Sequence, residues 1–111
     1  MLKEKTLSML GLARRAGRLS MGHDMADQAV KKRRAKMILL CSDTSPRLQK
    51  EFERTIAVNN IDIPIYKTEL TMNEIHFSVG YKAGIITVDD ENFTKKIISL
   101  LLEQEEQVNG N

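Results

Sequence analysis

The sequence has one cysteine, Cys41, only two histidines, His23 and His76, and no run of eighteen apolar residues. A single thiol excludes an internal disulfide, and two imidazoles with one thiol match no spacing that holds zinc. Cys41 closes the apolar run Met37-Ile38-Leu39-Leu40-Cys41 and is expected to be a small buried strand residue. Neither histidine stands in a local motif with a serine or cysteine nucleophile, so a surface or capping role is expected for each. The want of a long apolar run excludes a membrane span, and Lys3, Glu4 and Lys5 put charge into the N-terminal MLKEKTLSML where a secretory signal would be apolar. A cytoplasmic protein with no catalytic residue, metal or cofactor is the expectation.

What is present is a globular composition, 41% hydrophobic over 111 residues, enough for one core and too little for two. Residues 1–103 are expected to form the single domain and 104–111 a polar, frayed tail. The net charge of +2 hides an asymmetry: residues 1–54 hold 13 Lys/Arg against 6 Asp/Glu, and residues 55–111 hold 4 against 9, so the halves carry +7 and −5. A basic half attracts phosphate, while an acidic half limits nonspecific attraction at longer range. Two ordinary solvated faces are the plainer explanation of the same numbers.

Leu7, Leu10 and Ala13 fall near helical spacing before Arg14, Arg15 and Gly17, which predicts a helix over about 3–16. A short strand, 18–21, follows. Gly22 turns the chain into a second helix, 23 to about 33, with Met25, Ala29 and Val30 as its apolar stripe and Asp24 and Asp27 toward its positive end. The continuous run 37–41 reads as a strand buried on both faces. Ser45-Pro46 starts a helix to about Asn59, and Pro64 confines any strand in 61–66 to an edge or a short one. Thr71-Met72-Asn73-Glu74 resembles a capping signal for a short helix before Gly80. A last strand, 84–88, and an amphipathic helix opened by Asp89-Asp90-Glu91 complete the pattern. Helices alternating with short apolar strands predict an α/β fold, a three-layer α/β/α sandwich with a small mixed sheet.

Two places invite chemistry. Gly22 and the start of the next helix allow close backbone approach, with N–H groups free to meet a phosphate. Asp43 and Asp89-Asp90 stand just past two buried strands, where paired carboxylates hold a metal or accept a phosphoryl group, although helix capping explains them more simply.

LGLARRAGRLSMG (Leu10 to Gly22), AVKKRRAKMILLCSD (Ala29 to Asp43), IPIY (Ile63 to Tyr66) and ITVDDENFTKKI (Ile86 to Ile97), in this order and spacing, resemble the kink-turn RNA-binding ribosomal-protein family, most of all its small bacterial YlxQ-like branch. The likeness ends near Leu102. It implies the α/β/α sandwich and a non-enzymatic partner of structured RNA, ribosomal RNA included, acting in a ribonucleoprotein. In the family a glycine and the helix after it enter the RNA groove, and asparagine, glutamate and, three positions on, lysine commonly read guanine edges. The gapless match puts Asp24, Met25 and Gln28 there, and none keeps the family residue. Asp24 can accept from a guanine amino group and Gln28 can donate and accept, whereas Met25 offers no polar edge.

The resemblance thus implies an RNA-binding segment of Gly22, His23, Asp24, Met25 and Gln28. Arg14, Arg15, Arg18, Lys31, Lys32, Arg33, Arg34 and Lys36 would attract the phosphate backbone. The second element is the loop Gly80-Tyr81-Lys82-Ala83-Gly84, in which Tyr81 is either a stacking platform for a base or a core residue. A protein-interaction adaptor that has lost kink-turn specificity is the alternative function on the same fold.

Overall fold

A computed structural model describes residues 2–109. The elements in chain order are α1 (Leu2–Arg15), β1 (Leu19–Met21), α2 (His23–Lys31), β2 (Met37–Leu40), α3 (Pro46–Val58), β3 (Ile65–Lys67), α4 (Met72–Val79), β4 (Ile85–Val88) and α5 (Glu91–Asn109). The four strands form one sheet in the order β1-β4-β2-β3. β4 is antiparallel to β1 and to β2, and β3 is parallel to β2, so the sheet is mixed as expected.

Period-two alternation divides the central strands between two cores. Met37, Leu39 and Cys41 with Ile86 and Val88 face one side, where Leu7 and Leu10 of α1, Ile75 and Val79 of α4, and Ile97 of α5 cover them. Ile38, Leu40 and Ile85 face the other, under Ala26, Ala29 and Val30 of α2 and Phe52 of α3. The layers are therefore α1, α4 and α5, then the sheet, then α2 and α3. Cys41 is buried as expected, its thiol donating to Ala83 O at 3.4 Å. Burial pushes that thiol up to about 11, with the charges of Asp43 and Glu74 adding to the shift, so it stays protonated.

Two expectations change. The apolar stripe of α2 is Ala26, Ala29 and Val30, at i, i+3 and i+4, and Met25 stands off it at 49% exposure. The expected tail is helical as far as Asn109, because Glu103, Gln104, Glu105 and Glu106 are strong helix formers and Gln104 Nε2 donates to Glu69 Oε2 at 2.8 Å. Residues 110 and 111 of that tail lie outside the described residues. None of the described helices is long and apolar enough to cross a membrane.

α4 is eight residues long and depends on its ends. Thr71 Oγ1 accepts from Glu74 N at 3.1 Å while Thr71 N donates to Glu74 Oε1 at 2.9 Å, a complete capping box. That backbone N–H, with the Lys3 ammonium 3.1 Å away, holds the Glu74 carboxyl below its ordinary range. Replacing Thr71 with Ala should cost about 1 kcal/mol. Urea unfolding should show a lower midpoint at unchanged slope, with Thr71→Ser near wild type.

Candidate nucleic-acid interface

Strand direction decides which loops meet. β1, β2 and β3 all run the same way, so α2, α3 and α4, which follow them, begin at one end of the sheet. β4 runs against them and starts at that end, which brings the Gly80–Gly84 loop there as well. Gly22, held at φ 88°, a conformation costly for any residue with a Cβ, donates its N–H to Ile85 O at 2.9 Å. This bond ties the start of α2 to the root of the loop. Asp24, Met25 and Gln28 project outward from the first turns of α2, all exposed, and Gly22 places no side-chain cap on that helix end.

The loop is anchored from α1. Arg14 Nη1 donates to Val79 O at 2.7 Å, and the guanidinium carbon lies 5.6 Å from the centroid of the Tyr81 ring, a cation–π contact. Tyr81 is 48% exposed and so is no core residue. Gly80 turns the chain at φ 89°, a conformation that favours glycine, and a Cβ there would lie 2.9 Å from Arg14 Nη1 and displace the guanidinium. Lys82 is exposed next to Tyr81, and Arg15 edges a groove between α1 and α4.

The basic run 31–36 lies at the other end of α2, about 13 Å from Gly22 at about 1.5 Å per residue. Lys36 N donates to Val88 O at 2.7 Å, and Asp89 N donates to Arg18 O at 2.8 Å, which places Arg18 at that far end too. Two members of the run have partners: Lys31 pairs with Asp27 at 2.9 Å, and Arg33, itself at φ 62°, donates to Asn59 O at the end of α3 at 2.9 Å. Lys32, Arg34 and Lys36 are exposed. The fold thus ties Gly22, and with it His23, Asp24, Met25 and Gln28, to the root of the loop that carries Tyr81 and Lys82, and sets Arg18 and Lys31, Lys32, Arg33, Arg34 and Lys36 toward the opposite end of the sheet.

The carboxylates do not converge either. Asp43 follows β2 and Asp89 follows β4, and because those strands are antiparallel the two sites stand at opposite ends of the sheet. Asp43 accepts from Met72 N at 3.1 Å at the start of α4. Asp89 accepts from Ser20 Oγ at 2.6 Å and Thr87 Oγ1 at 2.8 Å, and Asp90 from Phe93 N at 2.9 Å. These are caps and buried-hydroxyl partners, not a phosphoacceptor pair.

Residues 4–97 match the ribosomal protein L7Ae/L30e/S12e/Gadd45 family. The chain belongs to that family. It is 34% identical over 94 residues to the RNA-binding protein YlxQ of Bacillus subtilis (strain 168), covering 84% of this chain and 91% of that one. It is 23% identical over 99 residues to the RNA-binding protein YlxQ of Enterococcus faecium, covering 89% and 93%. Among solved structures, a Bacillus halodurans protein of unknown function superposes with a TM-score of 0.77 at 26% identity, over 87% of this chain and 96% of that one. The Giardia lamblia 15.5kD RNA binding protein shares the fold at a TM-score of 0.69 and 11% identity, over 92% and 88%.

Within this L7Ae-type fold, sequence reasoning missed a basic stripe on α3. Arg47, Lys50 and Arg54 line an open groove together with Glu51. The signal was their i, i+3, i+7 spacing. His23, the first residue of α2, reaches across to this helix, pairing Nε2 with Glu51 Oε2 and setting its ring edge-on to Phe52 at 5.4 Å between centroids.

The Glu51 hydrogen bond raises the His23 pKa above its ordinary 6.5 against partial desolvation, with the Glu51 charge and Asp24 adding to it. A folded pKa above the unfolded one makes this contribution to stability complete below about 6.5 and lost as the pH rises through the folded value. Both side chains are nearly half exposed, so its size is below about 1 kcal/mol. Glu51→Gln should lower the His23 pKa read by NMR, and its stability deficit should shrink as the pH rises past that value. A His23 titration that ignores the substitution would refute the pairing.

Proposed function

We propose that this protein is a cytoplasmic, non-enzymatic RNA-binding protein that takes structured RNA against the exposed start of α2 and the Gly80–Gly84 loop. The observation that carries the reading is the Gly22 N–H donated to Ile85 O, which ties the α2 start to the loop root. The curated relatives named as RNA-binding proteins, one of them 34% identical, support the partner class. Asp24, Met25 and Gln28 face the RNA, Tyr81 stacks on a base with Arg14 behind its ring, and Lys82 and Arg15 meet phosphate. Kink-turn specificity is reduced. Asp24 adds negative charge, and a guanine amino group covered by Met25 loses its water without a replacement acceptor.

A protein-interaction adaptor is the second reading, favoured by Phe77, which is 95% exposed beside half-exposed Leu12. Copurifying nucleic acid at low salt, judged from the absorbance ratio, separates the two.

Replacing Tyr81 with Ala should weaken RNA binding by about 1–3 kcal/mol while the thermal midpoint holds. A lowered midpoint with RNA affinity intact would assign Tyr81 to stability alone. Restoring the family residues with Asp24→Asn, Met25→Glu and Gln28→Lys should strengthen binding to a kink-turn and leave an equal-length duplex nearly unchanged. Paired titrations at one salt concentration decide this, and equal gains on both RNAs would reduce the three positions to a charge effect.

A further inference from the structure

We infer that Arg47, Lys50 and Arg54 of α3 form the phosphate-contacting surface beside the α2 start, and that the more conspicuous run 31–36 does not. The inference rests on the RNA-binding reading of the α2 start and adds the surface that holds the backbone. At about 100° per residue the three side chains fall within roughly 60° of one another around α3, and they span about 10 Å of its axis. All three are exposed. At about 1.5 Å per residue they stand roughly 4.5 and 6 Å apart along the axis, three cations in a row for a phosphate backbone to follow.

The carboxylate within the stripe, Glu51, lines the same groove but has a partner of its own. Glu51 lies four residues after Arg47 and three before Arg54, the spacing at which helical ion pairs form. It is bound to His23 instead. The ion pairs among the described residues are Lys3 with Glu74, His23 with Asp24 and Glu51, and Lys31 with Asp27, so none of the three α3 cations is in one. In the run 31–36, by contrast, Lys31 and Arg33 have protein partners.

Position argues the same way. The His23–Glu51 pair sets the stripe one side chain from the first residue of α2, whereas the run 31–36 is separated from it by the length of that helix. Ser45 makes no side-chain bond to the start of α3, so the positive end of this helix stands open next to Arg47. Asp24, whose side chain is 98% exposed, repels phosphate at the α2 start, and the α3 cations offset that repulsion from the neighbouring helix.

The test compares two triple variants that remove the same charge from different places: Arg47→Gln/Lys50→Gln/Arg54→Gln and Lys32→Gln/Arg34→Gln/Lys36→Gln. Each is titrated with a kink-turn RNA and an equal-length duplex over a series of salt concentrations, after circular dichroism has confirmed folding. The α3 variant should flatten the slope of log affinity against log salt by about 2–3 and weaken binding at least about tenfold near 0.1 M salt. The second variant should change the slope by less than about 1. If the α3 triple does not fold, Lys50→Gln alone should still flatten the slope by about 0.7–0.9. An α3 variant with the wild-type slope, or equal losses in both triples, overturns the inference and leaves the RNA-binding reading standing. A wild type that binds neither RNA overturns both.

Discussion

Ile85 to Val88 is hydrogen-bonded along both edges, to β1 on one side and β2 on the other, and all four residues are buried. Because β4 runs against both neighbours, β1 and β2 are forced into the same direction, and β3 follows β2. Three strands then leave the sheet at one end, and the helices after them start there, each with N–H groups that lack intrahelical partners. At the start of α4 those groups are taken by Thr71 and Asp43. At the starts of α2 and α3 the N-cap residues, Gly22 and Ser45, make no side-chain cap. The antiparallel placement of β4 thus produces an end of the molecule where two uncapped helix starts and the Gly80–Gly84 loop adjoin.

The same constraint sorts the charge. The positive residues between α2 and β2 are carried to one end of the sheet and those that follow β2 on α3 to the other, although about ten residues separate them in the chain. Apart from the four cations of α1, the positive charge of the first 54 residues therefore falls into two populations. One, around Arg18 and 31–36, surrounds the strand starts and partly serves the fold, since Arg33 satisfies the Asn59 carbonyl that ends α3. The other, on α3, adjoins the α2 start.

What sequence revealed and what it withheld follow from the range of the interactions involved. The helix from Pro46, the box at Thr71 and Glu74, the edge strand after Pro64 and the doubly buried run at Met37 are all set by neighbours a few residues away, and each was readable from spacing. Met25 was misassigned because two apolar stripes fit a nine-residue helix, one through Met25 and one through Ala26, and only packing against the sheet selects the second. Strand order is nonlocal, so the meeting of the α2 start with the root of the Gly80–Gly84 loop was beyond the reach of spacing, whereas the distance from Gly22 to the run 31–36 is only the length of α2. The spacing of Arg47, Lys50 and Arg54 was visible, but their lack of counter-charge depends on His23, which takes Glu51 from across 28 positions of sequence.

This arrangement separates holding from reading. Contacts to phosphate fix position and register and carry no sequence information, whereas contacts to base edges carry it. On the proposed reading the first task falls to α3 and the second to α2, two helices joined by the side-chain pair between His23 and Glu51. A helix that reads bases can then change its residues without abolishing attachment, since the backbone contacts lie on another element. The same reading makes Asp24 and Met25 tolerable: an acid and a thioether at the reading positions would weaken discrimination among RNAs, while the cations on α3 would still hold the strand. The joint runs the other way as well. Any change that releases Glu51 from His23 frees a carboxylate that already lines the groove to pair with Arg47 and Arg54, and on the proposed reading would weaken the holding surface from a position that touches no phosphate.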